Sequence, residues 1–197
     1  MAASYCTIAN VKAADRLNIT STASDTILTD LAEAVSRWID GQCGRHFYSE
    51  ATSRYFTAQD HATLYCDDIS TSSSLTVYTD VNGDGTFETT WATTDYNLAP
   101  YNPASGWPYQ SIERAYLGVN YWPTHRRGVK ITAVFGWAAV PKEIEEAAII
   151  QCERVFKRFA TPLGSAGMSA LGETRLQIPA ADGDVQSLLA PFKRLQP

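Results

Sequence analysis

The sequence predicts an α+β fold: a small antiparallel helical core interrupted by a β-rich insertion, with an extended C-terminal tail. Three observations carry this expectation. Apolar residues recur at three- and four-residue steps from Ile27 to Ile39 and again from Ile144 to Phe159, the repeat that lines one face of a helix. Between these stretches, from about Ala51 to Trp137, Thr, Tyr, Val, Phe and Trp become frequent and turn residues return at short intervals, as in a series of short strands. Beyond Ala160 a small-residue run, Pro162 to Gly167, leads toward one last short amphipathic stretch. The expected divisions are 1–50 for the N-terminal helical part, 51–137 for the β insertion, 138–160 for the C-terminal core helix and 161–197 for a docking tail.

Thr7 can cap a short helix through Asn10–Leu17, and a Ser/Thr/Asp loop from Thr20 to Asp25 starts a second. In that second helix Ile27, Leu28, Leu31, Val35, Trp38 and Ile39 form the apolar stripe, and Gly44 follows as the left-handed stop. Strands are expected at Ser53–Ala58, Ala62–Cys66, Leu75–Thr79, Thr86–Thr90, Tyr96–Ala99, Ile112–Ala115 and Val129–Phe135, with a long loop from Tyr101 to Tyr109. The clearest hairpin turns through Asp80-Val81-Asn82-Gly83-Asp84-Gly85. Pro141 suits the first position of a third helix, whose Glu143, Glu145 and Glu146 crowd the positive end of its dipole while Lys157 and Arg158 sit at the negative end. Ile144, Ala148, Cys152, Val155 and Phe159 form its stripe, expected to pack on Ile27–Ile39.

In the tail, Val185, Leu188, Leu189 and Phe192 fall at i, i+3, i+4 and i+7, while Pro191 limits any helix there to one or two turns. So short a helix needs a surface to lie on, either its own domain or a neighbouring molecule.

A formal charge of −5, spread along 197 residues, argues against tight grip on a nucleic-acid backbone, where clustered Lys and Arg supply most of the affinity. Arg126-Arg127 beside His125 is the one basic knot and reads as a solvated loop. No apolar run approaches the roughly 20 residues that cross a bilayer, and Met1-Ala2-Ala3-Ser4 leads into Tyr5 and Cys6 without a secretory pattern. Cys6, Cys43, Cys66 and Cys152 are scattered and read as buried thiols, which fits synthesis in a cytoplasm.

Catalytic and metal motifs fail one by one. Asp80, Asn82 and Asp84 match the first half of a calcium loop, but Trp91 stands where the bidentate Glu belongs and strands flank both sides. Cys43 and His46 would need His61 and Cys66 to complete a zinc site. Ser165 lacks the glycine two residues before it that a nucleophile elbow requires. Asp67-Asp68 point to opposite faces if they lie on a strand, and read as loop solvation. The chain is therefore expected not to be an enzyme and to need no cofactor. A calcium-dependent glycan module using Trp91, Trp107, Tyr109 and Trp122 is an alternative, as is a hydrolase of unrecognised type.

Three segments in order are informative together: Thr7-Ile8-Ala9-Asn10-Val11-Lys12 with Leu17-Asn18-Ile19, the helix ending Cys43-Gly44-Arg45-His46-Phe47, and Phe135-Gly136-Trp137 leading to Val140-Pro141. With the Asp/Gly hairpin and the closing Asp184-Val185…Leu188-Leu189-Ala190-Pro191-Phe192-Lys193-Arg194, they resemble the head–tail connector (adaptor) proteins of tailed bacteriophages, the gp6-like group. The resemblance implies a virion structural protein of the neck, made in the host cytoplasm. It implies a homo-oligomeric ring, usually a dodecamer, beneath the portal, with a stopper or tail component below and genomic DNA passing through without specific binding. It also implies that the C-terminal segment reaches the portal through Val185, Leu188, Leu189, Pro191 and Phe192, with Lys193 and Arg194 available for portal carboxylates. Another neck or tail-completion component is the nearest alternative.

Overall fold

The structure, a computed structural model, describes residues 4–160 and 183–194, and the side chains of Phe159 and Ala160 lie outside that description. The small-residue run 162–167, with Ser165, also lies outside the described residues. The chain divides into two compact units: Met1–Gly44 with Val140–Pro197, and Arg45–Ala139.

The first unit is helical. Its elements are α1 (Ile8–Lys12), α2 (Asp25–Cys43), α3 (Lys142–Ala160) and α4 (Gly183–Leu189), the last continuing into a 3₁₀ turn at Ala190–Phe192. Thr7 caps α1 by accepting the Asn10 amide at 3.2 Å. α1 is shorter than its sequence suggests. Ala13 leaves helical geometry, Asn18 takes a positive φ of 52°, and the returning chain donates from Leu17 N to Val11 O and from Ile19 N to Lys12 O. Those bonds satisfy carbonyls that a longer helix would have used. α2 stops at Gly44, whose φ of +64° is left-handed and whose N–H donates to Asp40 O at 2.8 Å.

α2 buries Leu28, Ala32, Val35, Ser36, Ile39 and Cys43, whereas Ile27 is 52% exposed. The buried face thus runs through two small residues rather than through Ile27. Ser36 is tolerated there because its hydroxyl donates to Ala32 O at 2.7 Å and accepts from Tyr5 N at 2.9 Å. α3 packs on α2 and buries Ile144, Ala147, Ala148, Ile149 and Cys152. Arg16 fixes the segment after α1 to α3 by a two-pronged contact to both Glu146 oxygens, at 2.7 and 2.8 Å.

The second unit is a curled sheet of seven antiparallel strands: β1 (Glu50–Phe56), β2 (Thr63–Ile69), β3 (Thr76–Thr79), β4 (Thr89–Thr90), β5 (Tyr96–Ala99), β6 (Tyr109–Arg114) and β7 (Val129–Phe135). The order is β4-β3-β7-β2-β6-β5, with β1 also pairing β7. β7 is the organising strand. Val129, Ile131, Ala133 and Phe135 are buried and the residues between them are half-buried, the period of two that one covered face imposes. Its register sets Glu50 opposite Phe135 on β1 and Thr79 opposite Val129 on β3. Leu64, Ile69, Val77, Ile112 and Trp122 complete the core.

β4 is two residues long, not the five expected from Thr86 to Thr90, because Asp84 holds Thr86 in the turn through both its amide and its hydroxyl. β2 runs three residues past the expected Cys66, and β6 begins at Tyr109, inside what reads as loop. Gly136 is required by the fold: at φ +96° a Cβ would sit 1.9 Å from Tyr48 O, and its N–H donates to Asp68 O at 2.7 Å.

Candidate interaction surfaces

In α4 the apolar spacing produces the short helix expected, and the structure divides its residues between two faces. Val185 and Leu189 are fully buried and Phe192 is 5% exposed, within the unit where α4 packs on α3 and α2. Leu188 and Arg194 are half-buried, while Pro191 and Lys193 are exposed. The Arg194 amide donates to Cys43 O at 2.8 Å, which satisfies a carbonyl at the end of α2. The expected hook therefore does not present its whole apolar face outward in this chain. Three of its residues serve as core, while Pro191 and Lys193 are exposed and Leu188 and Arg194 partly so.

The Asp80–Gly85 hairpin is built from its own carboxylates. Asp80, 3% exposed, accepts from Gly83 N at 2.7 Å and Gly85 N at 2.8 Å. Asp84 accepts from Asn82 Nδ2 and from Thr86, and the Thr86 hydroxyl, then its amide, lower the Asp84 pKa. Carboxylate atoms of Asp80, Asp84 and Glu88 lie within 4.8 Å of one another, so Glu88 joins the group where sequence reasoning placed Asn82. Asn82 turns its amide N–H to Asp84 and its oxygen to the Asp84 amide. The turn thus draws on the Asp80 and Asp84 carboxylates for its own shape.

Beside this hairpin, Tyr55, Phe87, His125, Arg126 and Arg127 line a cavity of about 380 Å³. The Tyr55 and Phe87 rings are 5.6 Å apart, the Arg127 guanidinium sits 4.6 Å from the Tyr55 ring centre, and His125 Nε2 lies 3.6 Å from Asp80 Oδ2. The basic knot is thus partly a wall of this cavity rather than a wholly solvated loop.

Other expected site residues are structural. Trp91 and Trp122 stack at 4.0 Å and 16° in the core, 4% and 0% exposed, so they offer no platform to a sugar. Asp67 and Asp68 do face opposite ways, but on β2 rather than in a loop. Asp67 accepts from Arg54 at 2.7 Å, while Asp68, 2% exposed, lies 3.6 Å from Arg45 and accepts from Trp137 Nε1 at 3.2 Å. All four cysteines are buried thiols. Cys6 and Cys152 approach to 3.7 Å, and that contact, followed by burial, pushes the Cys152 pKa up and keeps the thiol protonated. Among the described residues, no group of metal-ligating side chains other than Asp80, Asp84 and Glu88 converges, and His61 instead bonds Trp122 O at 2.8 Å. No described helix is long and apolar enough to cross a membrane.

One surface was not foreseen. Between β6 and β7, Tyr116, Leu117 and Val119 are 95%, 88% and 88% exposed. The signal available was an apolar run around Gly118 with no alternation to suit a strand.

No protein-family model and no curated protein matches the sequence. Solved structures do. A chain in the neck of an empty gene transfer agent particle, computed with C6 symmetry, superposes with a TM-score of 0.53 at 17% identity, covering 93% of this chain and 88% of that one. A chain in the virion of a native gene transfer agent particle gives 0.51 at 21% identity, covering 90% and 81%. This chain shares their fold. The likeness takes in nearly its whole length, and both units fall within so wide a span.

Proposed function

We propose that the protein is a structural component of a virion neck: a head–tail adaptor that forms a ring beneath the portal, extends the DNA channel and joins capsid to tail. The observation that carries this reading is the near-complete mutual coverage with a neck chain, 93% of one and 88% of the other. A net charge of −5 suits a channel wall that DNA must slide past without sticking. No residue is assigned a catalytic role, and the Asp80–Gly85 turn acts as a self-sufficient hairpin rather than a cation site. The ring is a closed homo-oligomer, a dodecamer by the resemblance, made by heterologous contacts.

Portal docking belongs to the C-terminal segment, refined by where its side chains lie. Val185, Leu189 and Phe192 hold α4 to its own unit, so the segment meets the portal already folded, through Leu188, Pro191, Lys193 and Arg194. Pre-ordering lowers the entropy lost on binding, and a ring sums many modest grips into a firm one.

Co-sedimentation of the purified chain with portal rings tests this. The chain should pellet with the portal, and Leu188→Asp with Lys193→Glu should weaken association about tenfold with an unchanged circular dichroism spectrum. Failure of the unsubstituted chain to pellet overturns the adaptor role, and binding to a tail component instead would indicate a stopper or tail-completion protein. Full binding by the substituted chain would remove the docking face from α4.

A further inference from the structure

Cys6 and Cys152 lie far apart in the sequence, yet the helical unit sets their sulfurs 3.7 Å from each other. The approach is held on both flanks of Cys6. Before it, the Tyr5 amide donates to Ser36 Oγ at 2.9 Å and the Tyr5 hydroxyl to Asp40 Oδ1 at 2.5 Å, both on α2. The Arg37 guanidinium, also on α2, sits 5.4 Å from the Tyr5 ring centre. After it, Thr7 caps α1, and Asn10 Nδ2 donates to Glu145 Oε1 on α3 at 2.9 Å. Cys152 stands two turns along the same face of α3 from Glu145, and it is 1% exposed. The gap to the roughly 2.0 Å of a disulfide is of the size that side-chain rotation spans. Cys6 is 5% exposed, but Ser4 and Thr7 beside it are at the surface. A small oxidant therefore reaches the pair when that short segment lifts.

We propose that Cys6 and Cys152 are an oxidisable pair, which a peroxide converts to an intramolecular disulfide that locks the start of the chain onto α3. The two sulfurs have different roles. The contact with Cys152 lowers the Cys6 pKa against the opposing effect of burial, whereas the same contact and burial together raise that of Cys152. Cys6 is thus the thiolate that attacks. Its sulfur takes one oxygen of hydrogen peroxide: an S–O bond forms, the O–O bond breaks, and the hydroxide that leaves becomes water with the Cys6 proton. The Cys152 sulfur then attacks the Cys6 sulfenic sulfur. The S–S bond forms, the S–O bond breaks, and the departing hydroxide takes the Cys152 proton as a second water. The two thiols lose two electrons and the peroxide gains them. The bond joins residues 6 and 152, so α1, α2 and the sheet unit fall inside one covalent loop. A closure that long restricts the unfolded chain and so favours the folded one. In the neck reading, closure follows release of the particle from a reducing cytoplasm, while the pair itself depends only on the helical unit.

The test uses the full chain, purified under reductant and then treated with hydrogen peroxide at neutral pH. Thiols titrated in urea should fall from four to two, and dithiothreitol should restore all four. Mass spectrometry of a digest should join the Cys6 and Cys152 peptides. Cys43 and Cys66, also buried, serve as internal controls and should remain thiols. The midpoint of thermal unfolding should rise by about 5–10 °C on oxidation. In Cys152→Ser the sulfenic acid lacks its resolving thiol and should be trapped by dimedone at Cys6, whereas Cys6→Ser should show neither label nor thermal shift. Should a serine variant fail to fold, the thiol map of the unsubstituted chain decides. Four thiols after treatment, or a bond that maps to Cys43, Cys66 or a second chain, overturns the pair. A mapped Cys6–Cys152 bond with thermal unfolding unchanged overturns the lock.

Discussion

Asp68 and Gly136 show how single positions fix the β unit. Asp68 brings a carboxylate to within 3.6 Å of Arg45 in a site where the two side chains are 2% and 5% exposed, and it also accepts from the Trp137 indole. Removing one charge from a buried pair is expensive because the other loses its counter-charge out of reach of water. Asp68→Asn is therefore expected to lower the unfolding free energy by about 2–4 kcal/mol, read by urea denaturation of the full chain; a loss below the error of that measurement would show the pair to be dispensable. Gly136→Ala should cost a similar amount, about 2–4 kcal/mol, since its Cβ would have to displace the Tyr48 carbonyl. Neither role was legible beforehand. The sequence shows two adjacent aspartates and a glycine, and which aspartate turns inward depends on Arg45, 23 positions earlier, and on a strand that extends to Ile69.

At the scale of elements, legibility followed the strength of local pattern. β7 and β5 have the limits expected because alternation and turn residues define both ends, and α3 starts one residue after Pro141 as its dipole-matched charges suggest. β1 starts three residues earlier than expected. Its first two residues, Glu50 and Ala51, are poor strand formers recruited by pairing with β7 rather than by their own propensity. The turns before β2 and β4 depend on carboxylates. Amides of Thr63 and Ala62 lower the pKa of Asp60, and Thr86 lowers that of Asp84. A depressed carboxyl contributes its stability above the unfolded pKa, near 4, and loses it as pH falls through the lower folded value. Amide hydrogen exchange in residues 60–63 and 80–86 should therefore accelerate below about pH 4, relative to the β7 core; equal protection at pH 3 and pH 6 would contradict the assignment. α4 offers a separate test. Leu189→Asp puts a charge where Leu189 is fully buried, so exchange in residues 183–194 should rise while β7 stays protected. Unchanged protection would mean that the segment does not depend on its own helices.

For the whole molecule, the exposed apolar features fall in different units. The helical unit carries the outward face of α4, and the sheet unit carries the Tyr116–Val119 protrusion and the aromatic cavity. In the adaptor reading the α4 face reaches the portal, so substitutions there should leave the sheet unit folded. Sequence reasoning singled out the α4 segment because its apolar spacing is helical. It did not single out the Tyr116–Val119 loop, because a braced loop leaves no periodic trace and its bracing comes from Asp95, a residue outside the loop. The apolar spacing alone also could not say which side of α4 would be covered. That depended on α2 and α3, which are far away in sequence and supply the surface.

A reconstruction of the assembled particle neck, at a resolution that traces side chains, tests the account most directly. It should show this chain repeated as a closed ring between portal and tail, with Leu188 and Lys193 against the portal. A neck in which the chain is absent, or present without any contact to the portal, would contradict it.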